Sequence, residues 1–281
     1  MTVILIDGDI IAYRCATSVE EAYDFGGVYG IQADPEKGKD QVDRCIENYA
    51  KHLKANKIYV ALTDKKNFRK SILSTYKAKR KATRKPVLLK PLREYIEKNY
   101  RTFVINLLEA DDVLGILATS PQFYPKSKKI IVSIDKDLRT IPSWHWSPDD
   151  INGKAPPKFI NEEEANKNFY AQVLSGDPTD GYSGCPLIGR KKARELVERP
   201  LLLKQEEHKV KKGKNVGQKR QVWKSVPTQD IWSCIVSHYE HAGLSEEDAL
   251  VQARCARILR FEDYDHNKKE PILWSPKTTK K

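Results

Sequence analysis

The sequence predicts an α/β protein, with a parallel β-sheet between helices, followed by a smaller helical region. Four short apolar runs each end in an acidic residue, and segments of helical period separate these runs up to about residue 138. From about residue 159, strand-like runs become scarce. Alternating strands and helices are typical of right-handed βαβ units in a parallel sheet. We therefore expect two regions, residues 1–160 and residues 161–281.

The four apolar runs have the composition of strands that are buried on both faces of a sheet. They cover residues 3–6, 58–62, 102–108 and 130–134. The acids that follow them are Asp7, Asp64, Glu109 and Asp135. Ligands of open α/β sheets gather at the carboxyl ends of the strands. The sequence therefore predicts that four carboxylates point into one crevice.

Helices are predicted where apolar residues recur every three or four positions. Between the strands, this period marks residues 40–55 and 111–118. Beyond the sheet, it marks residues 162–174, 190–202, 229–242 and 245–258. The last four segments make up the predicted helical region.

The 281 residues carry a formal net charge of +12, which favours a polyanionic partner such as nucleic acid. The five cysteines include no C-x-x-C pair, and the six histidines show no ligand spacing. This disfavours a disulfide framework and a zinc site. No apolar run is long enough to span a membrane, and no signal peptide precedes the first strand. We expect a cytoplasmic protein with no membrane partner.

Two stretches of the chain are strongly basic. Residues 65–101 follow the second strand acid directly. Residues 204–224 contain glycines and no core period, which predicts an exposed loop or hairpin. A solvated surface is the ordinary explanation for such charge runs, but the large net charge favours contact with phosphates.

Further carboxylates accompany the strand-end acids in tight local sets. The sets are Asp7 with Asp9, Glu109 with Asp111 and Asp112, Asp135 with Asp137, and Asp177 with Asp180. Residues two apart in an extended segment, or three apart on a helix, share a face. Clustered carboxylates repel one another unless cations neutralise them, and oxygen ligands select hard ions such as Mg²⁺ or Mn²⁺. Two such ions are typical of phosphodiester hydrolysis.

Helix capping is the alternative role for each of these acids taken singly. Capping requires neither acids in pairs nor a G-D-x-x-D motif beyond the sheet, so the set as a whole favours a metal site. Asp9 and Asp112 are the members best suited to capping or to supporting other ligands.

Five blocks of the sequence carry a family resemblance. They are T-D-K-K-N-F-R-K at 63–70, Y-K-A-K-R at 76–80, E-A-D-D-V-L-G at 109–115, S-I-D-K-D at 133–137, and G-D-P-T-D-G-Y-S-G-C-P-L-I-G-R-K-K-A at 176–193. In this order they resemble the 5′ to 3′ exonuclease and flap endonuclease superfamily, and the chain is most similar to the stand-alone exonucleases of T-odd bacteriophages. The resemblance implies a PIN-like nuclease core with a basic helical arch or clamp over residues 65–101. A helical DNA-binding region with a helix-turn-helix element would follow.

The resemblance also implies metal ligands. The family's first metal cluster corresponds to Asp7, Asp64, Glu109, Asp111 and Asp112. The second cluster corresponds to Asp135, Asp137, Asp177 and Asp180. Family members use two Mg²⁺ ions, for which Mn²⁺ can substitute.

The family's Y-K-x-x-R motif implies contacts with the substrate. Its lysine and arginine, here Lys77 and Arg80, reach the scissile phosphate, with Arg69 in support. Tyr76 would stack on a terminal base, with ordinary packing as the alternative. If residues 69–80 are helical, Arg69, Tyr76 and Arg80 fall nearly on one line. Other residues expected to contact DNA are Lys79, Lys81 and Arg84.

The segment 184–193 resembles the family's helix-turn-helix element, which grips duplex phosphates through the start of a helix. The expected phosphate contacts are Gly184, Gly189, Arg190, Lys191 and Lys192. Some family members bind K⁺ here. Leu187 stands where the family pattern has a glycine that allows close backbone approach, which disfavours the K⁺ site.

The resemblance implies a nuclease that removes nucleotides from the 5′ end of duplex DNA, at ends, nicks and flaps, and cuts the RNA strand of RNA–DNA hybrids. It would act in phage DNA replication or degradation, in the host cytoplasm, and a single-strand-binding protein is one partner to consider. Two alternatives stay open. A PIN-like endoribonuclease would be shorter and would lack the Y-K-x-x-R motif. A non-catalytic structure-specific DNA-binding protein would not need every family carboxylate, and all are present.

Overall fold

The computed structural model describes residues 1–79, 83–151, 153–209 and 219–276. The chain forms two compact units. The first unit consists of Met1–Ser71, Lys81–Ala165 and Ile258–Leu273. The second unit consists of Ile72–Arg80, Asn166–Arg257 and Trp274–Lys281. The two units therefore do not divide simply near residue 160. Ile72–Arg80 comes before that boundary but belongs to the second unit, and Ile258–Leu273 comes after it but belongs to the first.

The helices and strands alternate through the first 160 residues. In chain order they are β1 (Thr2–Asp7), α1 (Gly8–Ser18), β2 (Glu20–Asp24), β3 (Tyr29–Ala33), α2 (Pro35–His52), β4 (Lys57–Ala61), α3 (Arg69–Ile72), α4 (Leu89–Asn99), β5 (Thr102–Phe103), α5 (Ala110–Thr119), β6 (Lys128–Val132), β7 (Ser143–Trp146) and β8 (Lys158–Ile160). The later elements are α6 (Glu162–Ser175), α7 (Arg190–Glu198), β9 (Leu201–Lys209), β10 (Lys219–Pro227), α8 (Ile231–His241), α9 (Glu246–Ala256), β11 (Tyr264–Asp265) and β12 (Glu270–Pro271). Short 3₁₀ helices cover Asp137–Thr140 and Phe261–Asp263.

The first unit contains a six-stranded sheet in the order β5-β4-β1-β6-β7-β8. Its strands are parallel except for the antiparallel pair β7 and β8 at one edge. Val3, Ile4, Leu5 and Ile6 in the central strand are fully buried, as expected for a strand covered on both faces. Asp7 is opposite Ala61 in the parallel register of β1 and β4, so both strands end at the same edge. The predicted parallel α/β core is confirmed.

The predicted strand at 102–108 is wrong beyond its first two residues. β5 ends at Phe103, and the chain then turns, with Leu107 at a φ of 68°. The turn is held by the Asp64 carboxylate, which accepts the backbone N–H of Leu107 at 2.9 Å. Apolar composition alone could not reveal this turn, because the residue that stabilises it lies in another loop.

The predicted helix at 69–80 is also wrong for most of its length. α3 has only four residues, and turns follow it. Lys77 has a φ of 53°, and its backbone N–H donates to the carbonyl of Asp180 at 2.7 Å. This left-handed backbone and long-range hydrogen bond replace the helical pattern. Arg80 and Lys81 lie outside the described residues.

The other predicted helices are confirmed with shifted ends. α2 begins five residues before its predicted start of 40, because Asp34 caps the N–H of Glu36 at 2.9 Å and Pro35 fits the first turn. Four helices occur in the second half of the chain, as the sequence predicts. The pairs β2–β3, β7–β8 and β9–β10 were not predicted as strands, although residues 204–224 were expected to form a loop or hairpin.

The second unit has its own core, formed by α6, α7, α8, α9 and the segment around Tyr76. Phe169 and Tyr239 are the largest buried aromatic residues in it. The Tyr239 hydroxyl donates to the carbonyl of Val173 at 2.7 Å, so its one polar atom is satisfied. No helix of the described residues is long and apolar enough to cross a membrane.

Candidate active site

Asp7 lies at the carboxyl end of the central strand and is 4% exposed. One carboxylate oxygen caps α1 by accepting the N–H of Ile10 at 3.2 Å. The other oxygen accepts the hydroxyl of Ser133 at 3.1 Å. Ser133 follows β6, so this contact joins the ends of two neighbouring strands.

Ser133 also connects Asp7 to the third acidic set. The backbone N–H of Asp135 donates to the Ser133 hydroxyl at 3.1 Å, and the N–H of Asp137 donates to the Asp135 carboxylate at 2.8 Å. A chain of hydrogen bonds thus joins Asp7, Asp135 and Asp137. The structure brings together these three predicted residues at one edge of the sheet.

Asp64 and the segment before Glu109 lie side by side at the same edge. Besides the bond from Leu107, the N–H of Asp64 donates to the carbonyl of Leu108 at 2.9 Å. The N–H of Ala110 donates to the Thr63 hydroxyl at 3.0 Å. The Leu107 N–H holds the pKa of Asp64 below its usual range, because it stabilises the charged carboxylate. Asp64 is therefore an anion next to the start of α5, where Glu109 and Asp111 lie.

Asp9 braces this edge, in agreement with the supporting role given as its alternative. One oxygen accepts the N–H of Thr63 at 3.0 Å, and the other forms an ion pair with Arg93. Arg93 also donates to the carbonyl of Thr63 at 2.6 Å. Burial lowers the pKa of the Arg93 guanidinium. Arg93 was not predicted as a functional residue. The one sign of it in the sequence was a cation on the apolar face of the basic segment 65–101.

Asp112 has the capping and supporting role that was given as its alternative, and not that of a metal ligand. It is fully buried, and both of its oxygens are occupied. Arg69 donates to both of these oxygens at 2.7 Å. The backbone N–H groups of Leu259 and Glu109 donate to them at 3.0 and 3.1 Å. This geometry gives Asp112 a structural role.

Arg69 is a second correction. Its side chain is 2% exposed and lies between Asp112 and Glu109, with its guanidinium 3.3 Å from Glu109. A phosphate in solution cannot reach a guanidinium that is enclosed in this way. Arg69 instead neutralises two of the acids at the start of α5 and holds the Glu109 side chain in place.

Asp177 and Asp180 lie in a turn of the second unit, not on a helix as the spacing argument assumed. The Asp177 carboxylate accepts the N–H groups of Thr179 at 2.7 Å and Asp180 at 3.3 Å. Gly176, at a φ of 65°, precedes the turn. The turn brings the two carboxylates onto neighbouring positions, as the helical spacing would have done.

Lys77 and Tyr76 contact Asp180 within the same unit. The Lys77 ammonium lies 3.5 Å from the Asp180 carboxylate, and the Tyr76 hydroxyl donates to the same oxygen at 3.3 Å. Tyr76 is 3% exposed and belongs to the core of the unit. The expected stacking of Tyr76 on a base is therefore not its role in this structure, and the packing alternative holds.

The expected phosphate contacts of the helix-turn-helix element surround the start of α7. Gly189 precedes the helix, and Arg190, Lys191 and Lys192 are exposed in its first turn. Three cations beside the N-terminal N–H groups of a helix suit a phosphate. Gly184 is a correction among these expected contacts: it is buried, its backbone N–H donates to the Gln252 side chain at 2.9 Å, and a Cβ would lie 2.3 Å from the backbone nitrogen of Gly176.

Leu187 has a backbone conformation that favours glycine. Its φ is 62°, and its side chain is 97% exposed. A leucine is strained in this conformation. The K⁺ site itself stays a prediction.

Two further basic residues have different surroundings. Arg84 forms a two-pronged ion pair with Glu20, at 2.9 and 2.5 Å, and lowers the pKa of that carboxyl to about 2. Lys79 is exposed. A phosphate that binds Arg84 would have to compete with Glu20. Among the described residues, no carboxylate forms such a close pair with Lys79.

The acidic edge has the chemistry of a hard-cation site. Within the part of the chain that the structure describes, no group of three or more His, Cys, Asp or Glu side chains is arranged so that it could hold a metal ion. Mg²⁺ keeps several waters and binds through one or two carboxylates. The carboxylates of Asp7, Asp64, Asp135 and Asp137 at this edge are the candidate ligands for such a hydrated ion.

The chain matches known proteins along nearly its whole length. The family model described as 5′-3′ exonuclease, N-terminal resolvase-like domain, matches residues 2–169. An exodeoxyribonuclease of Enterobacteria phage T3 is 33% identical over 288 residues, which cover 98% of this chain and 93% of that protein. An exonuclease of Escherichia phage T7 is 32% identical over 286 residues, with the same coverage.

Solved structures show the same fold. A flap endonuclease of bacteriophage T5, in a complex with DNA and metal ions, has a TM-score of 0.54 at 17% identity and covers 70% of this chain and 75% of its own. A second T5 structure, co-crystallised with metal ions, has a TM-score of 0.52 at 18% identity and covers 70% of this chain and 74% of its own. The predicted PIN-like core is thereby confirmed. With the acids at the strand ends and the match over residues 2–169, the chain belongs to the 5′-3′ exonuclease family and is a nuclease.

Proposed function

We propose that this nuclease uses divalent metal ions to remove nucleotides from the 5′ end of duplex DNA, and that it also cuts 5′ flaps and the RNA strand of RNA–DNA hybrids. The observation that carries the proposal is the row of acids at the carboxyl edge of β1, β4 and β6. A basic protein that gathers carboxylates at one point needs cations there, and phosphodiester hydrolysis uses such cations.

Two Mg²⁺ ions are the proposed cofactors, with Mn²⁺ as a substitute. The T5 structures that were solved with metal ions support dependence on a metal. We assign the first ion to Asp7, Asp64, Glu109 and Asp111. We assign the second ion to Asp135, Asp137, Asp177 and Asp180. Asp112 is omitted because its oxygens are occupied by Arg69 and two backbone N–H groups.

When bound, the ions would supply a more acidic water and charge neutralisation at phosphorus. The chain's own residues have other tasks. Ser133 orients Asp7, and the Leu107 N–H orients Asp64 and keeps it anionic. The Lys77 ammonium would move from Asp180 to the phosphate. Its side chain is partly accessible, at 16% exposed, while its backbone N–H stays bonded to the Asp180 carbonyl. Arg80 is proposed to assist it on sequence grounds.

Binding of the duplex is assigned to the start of α7. Gly189 leaves open space in front of the helix, so a phosphate oxygen can approach its N–H groups closely. Arg190, Lys191 and Lys192 would hold the neighbouring phosphates. Phosphate contacts position a duplex without reading its sequence, as a general exonuclease requires.

The proposal is tested with 5′-labelled duplex, flap and RNA–DNA hybrid substrates in Mg²⁺ and in EDTA. We expect short 5′-labelled products in Mg²⁺ and none in EDTA. Asp135→Ala and Asp177→Ala should each abolish cleavage and leave the far-ultraviolet circular dichroism unchanged. Asp40→Ala, which removes an exposed acid on α2, is the matched control and should keep full activity.

The same assay separates the alternatives. Full cleavage in EDTA would contradict a metal-dependent mechanism. Cleavage of single-stranded RNA without cleavage of DNA would identify an endoribonuclease. Tight binding to flaps without any product would identify a structure-specific DNA-binding protein.

A further inference from the structure

The hairpin formed by β9 and β10 is a strongly charged feature of the second unit. Its two strands of nine residues pair antiparallel over their full length, from Leu201 opposite Pro227 to Lys209 opposite Lys219. At roughly 3.3 Å per residue the arm is about 30 Å long, close to the rise of one turn of B-DNA.

The two faces of the hairpin have different surroundings within the second unit. Trp223 packs against His241 of α8, with ring centroids 5.0 Å apart. Near the base, the N–H of Leu203 donates to the Ser237 hydroxyl at 3.0 Å. Odd-numbered side chains therefore face α8. Because side chains alternate along a strand, the even-numbered side chains form the opposite, outer face.

The outer face carries exposed basic residues besides three half-buried apolar ones, Leu202, Val222 and Val226. Lys204 is directly opposite Lys224, and His208 is directly opposite Arg220. All four residues are exposed. Glu206, the one acid on the described part of this face, lies 3.5 Å from the Lys224 ammonium. Three permanent cations thus share the face with one carboxylate.

This arrangement is unfavourable for the hairpin alone. Like charges directly opposite each other on a sheet destabilise it, and Lys204 with Lys224 is such a pair. The charges would be neutralised by a polyanion along the arm. Lysines on a solvated edge can also serve only to prevent aggregation, and the experiment below separates that explanation from binding.

We propose that the outer face of the β9–β10 hairpin binds the sugar–phosphate backbone of duplex DNA. This inference rests on the proposed function, in which duplex DNA is the substrate. A duplex fits better than a single strand for two reasons. The face is long and regular, and its described residues include no Trp, Tyr or Phe on which unpaired bases could stack.

The test measures binding in EDTA, so that it does not depend on cleavage. We would compare wild type with the triple variant Lys204→Gln, Arg220→Gln, Lys224→Gln, using fluorescence anisotropy with a blunt 24-base-pair duplex across a range of NaCl concentrations. Each lost phosphate contact lowers the slope of log K against log salt by about 0.9, so three contacts predict a fall of about 2 to 3. At 0.1 M salt we expect binding at least roughly tenfold weaker.

The matched control is Lys51→Gln, Lys126→Gln, Lys268→Gln, which removes the same charge from exposed sites of the first unit that lie outside the basic segment 65–101. For this control, the slope of log K against log salt should differ from the wild-type slope by no more than about 0.9, the contribution of one phosphate contact. The charge-preserving variant Lys204→Arg, Lys224→Arg should bind like wild type. Unchanged melting temperature and circular dichroism of the triple variant establish that it folds.

Equal slopes for the hairpin triple variant and its control would overturn the inference. An equal loss on single-stranded DNA of the same length would overturn the choice of duplex. If wild type binds DNA but cleaves nothing in Mg²⁺, the proposed function fails while the binding comparison still decides the role of the hairpin.

Discussion

Arg69 and Asp112 are 2% and 0% exposed, and they form a two-pronged ion pair beneath the acids at the start of α5. Asp112 also receives a hydrogen bond from Leu259, which is 147 residues away in sequence. Both residues of this pair have a structural role, where the family resemblance implied a metal ligand for Asp112 and support of the phosphate contact for Arg69. Glu109, which Arg69 also contacts, is held in position by it.

Removal of Arg69 should therefore affect stability before it affects chemistry. Arg69→Met leaves a buried carboxylate without its cation, which costs about 3–5 kcal/mol in free energy of unfolding. Arg14→Met is the control, because Arg14 pairs with Asp149 at 2.8 Å but both side chains are about half exposed, and such pairs contribute about 0–1 kcal/mol. Urea unfolding checks both values. Equal losses for the two variants would contradict the structural role.

The thiols offer a pH-dependent readout near Asp7. Cys15 and Cys45 lie 4.0 Å apart beside a cavity of about 150 Å³ that Asp7 also lines. The Cys15 thiol donates to Cys45 and, with nearby Arg14, lowers the pKa of Cys45 to about 7. Burial raises the pKa of Cys185 to about 11.

Alkylation of Cys45 by iodoacetamide should therefore accelerate as the pH rises through about 7, because the thiolate is the reactive form. Cys15→Ala removes the donor and should move this midpoint upward, toward the ordinary value of 9.0. Peptide mass spectrometry follows each thiol separately, and Cys185 serves as the slow internal control. A midpoint that does not move in Cys15→Ala would show that the donor is not the cause.

At the scale of elements, α5 is fixed by close backbone contact. A Cβ on Gly115, in the middle of this helix, would lie 2.2 Å from the carbonyl oxygen of Leu259. The segment that contains Leu259 returns to the first unit near the end of the chain. α5 begins at Ala110, with Asp111 and Asp112 in its first turn and Glu109 directly before it. The position of the helix therefore sets the positions of these three acids.

Gly115→Ala should destabilise the protein even though alanine favours a helix by about 1 kcal/mol. Overpacking costs about 1–3 kcal/mol, and a backbone oxygen cannot rotate away as a side chain can. Gly38→Ala in α2 is the matched control, since its new Cβ would meet only side-chain atoms of Leu88 and Leu92, at 3.1 Å or more. We expect Gly38→Ala within about 1 kcal/mol of wild type by urea unfolding. A Gly115→Ala protein as stable as that control would contradict the close contact.

For the whole molecule, charge is distributed unevenly: a net charge of +12 coexists with a row of carboxylates at one sheet edge. Repulsion among these carboxylates weakens the folded state, and a bound divalent cation would relieve it. Metal binding should therefore be visible as stability, independent of any cleavage.

Mg²⁺ should raise the melting temperature of the wild-type protein. At a concentration one hundred times the dissociation constant, binding to the folded state adds about 2.7 kcal/mol. In a chain of this length that corresponds to a shift of several degrees, roughly 5–10 °C. Differential scanning fluorimetry measures it. Asp135→Asn with Asp137→Asn should lose most of the shift, while Asp40→Asn should keep it. No shift in wild type would argue against the assigned acids.

The alternation of strands and helices, and the row of acids that follows the strands, can be predicted from the sequence alone. Both depend on local composition: a buried strand must be apolar, and the residue after it is read directly from the chain. The motif blocks also fixed the family, which the matches to the phage T3 and T7 exonucleases support over 98% of the chain.

Only the tertiary structure decided which of the acids and cations are exposed at the site. Spacing shows that Arg69, Asp112 and Tyr76 share faces with functional residues, but it does not show what lies opposite them. Asp112 is enclosed by Arg69 and Leu259, and Tyr76 by the core of the second unit. Long-range contacts supply these partners, and the free energy of burying a charge or a ring depends on the partner. The fold therefore determines whether a charged residue binds metal, supports a neighbouring residue or lies in solvent.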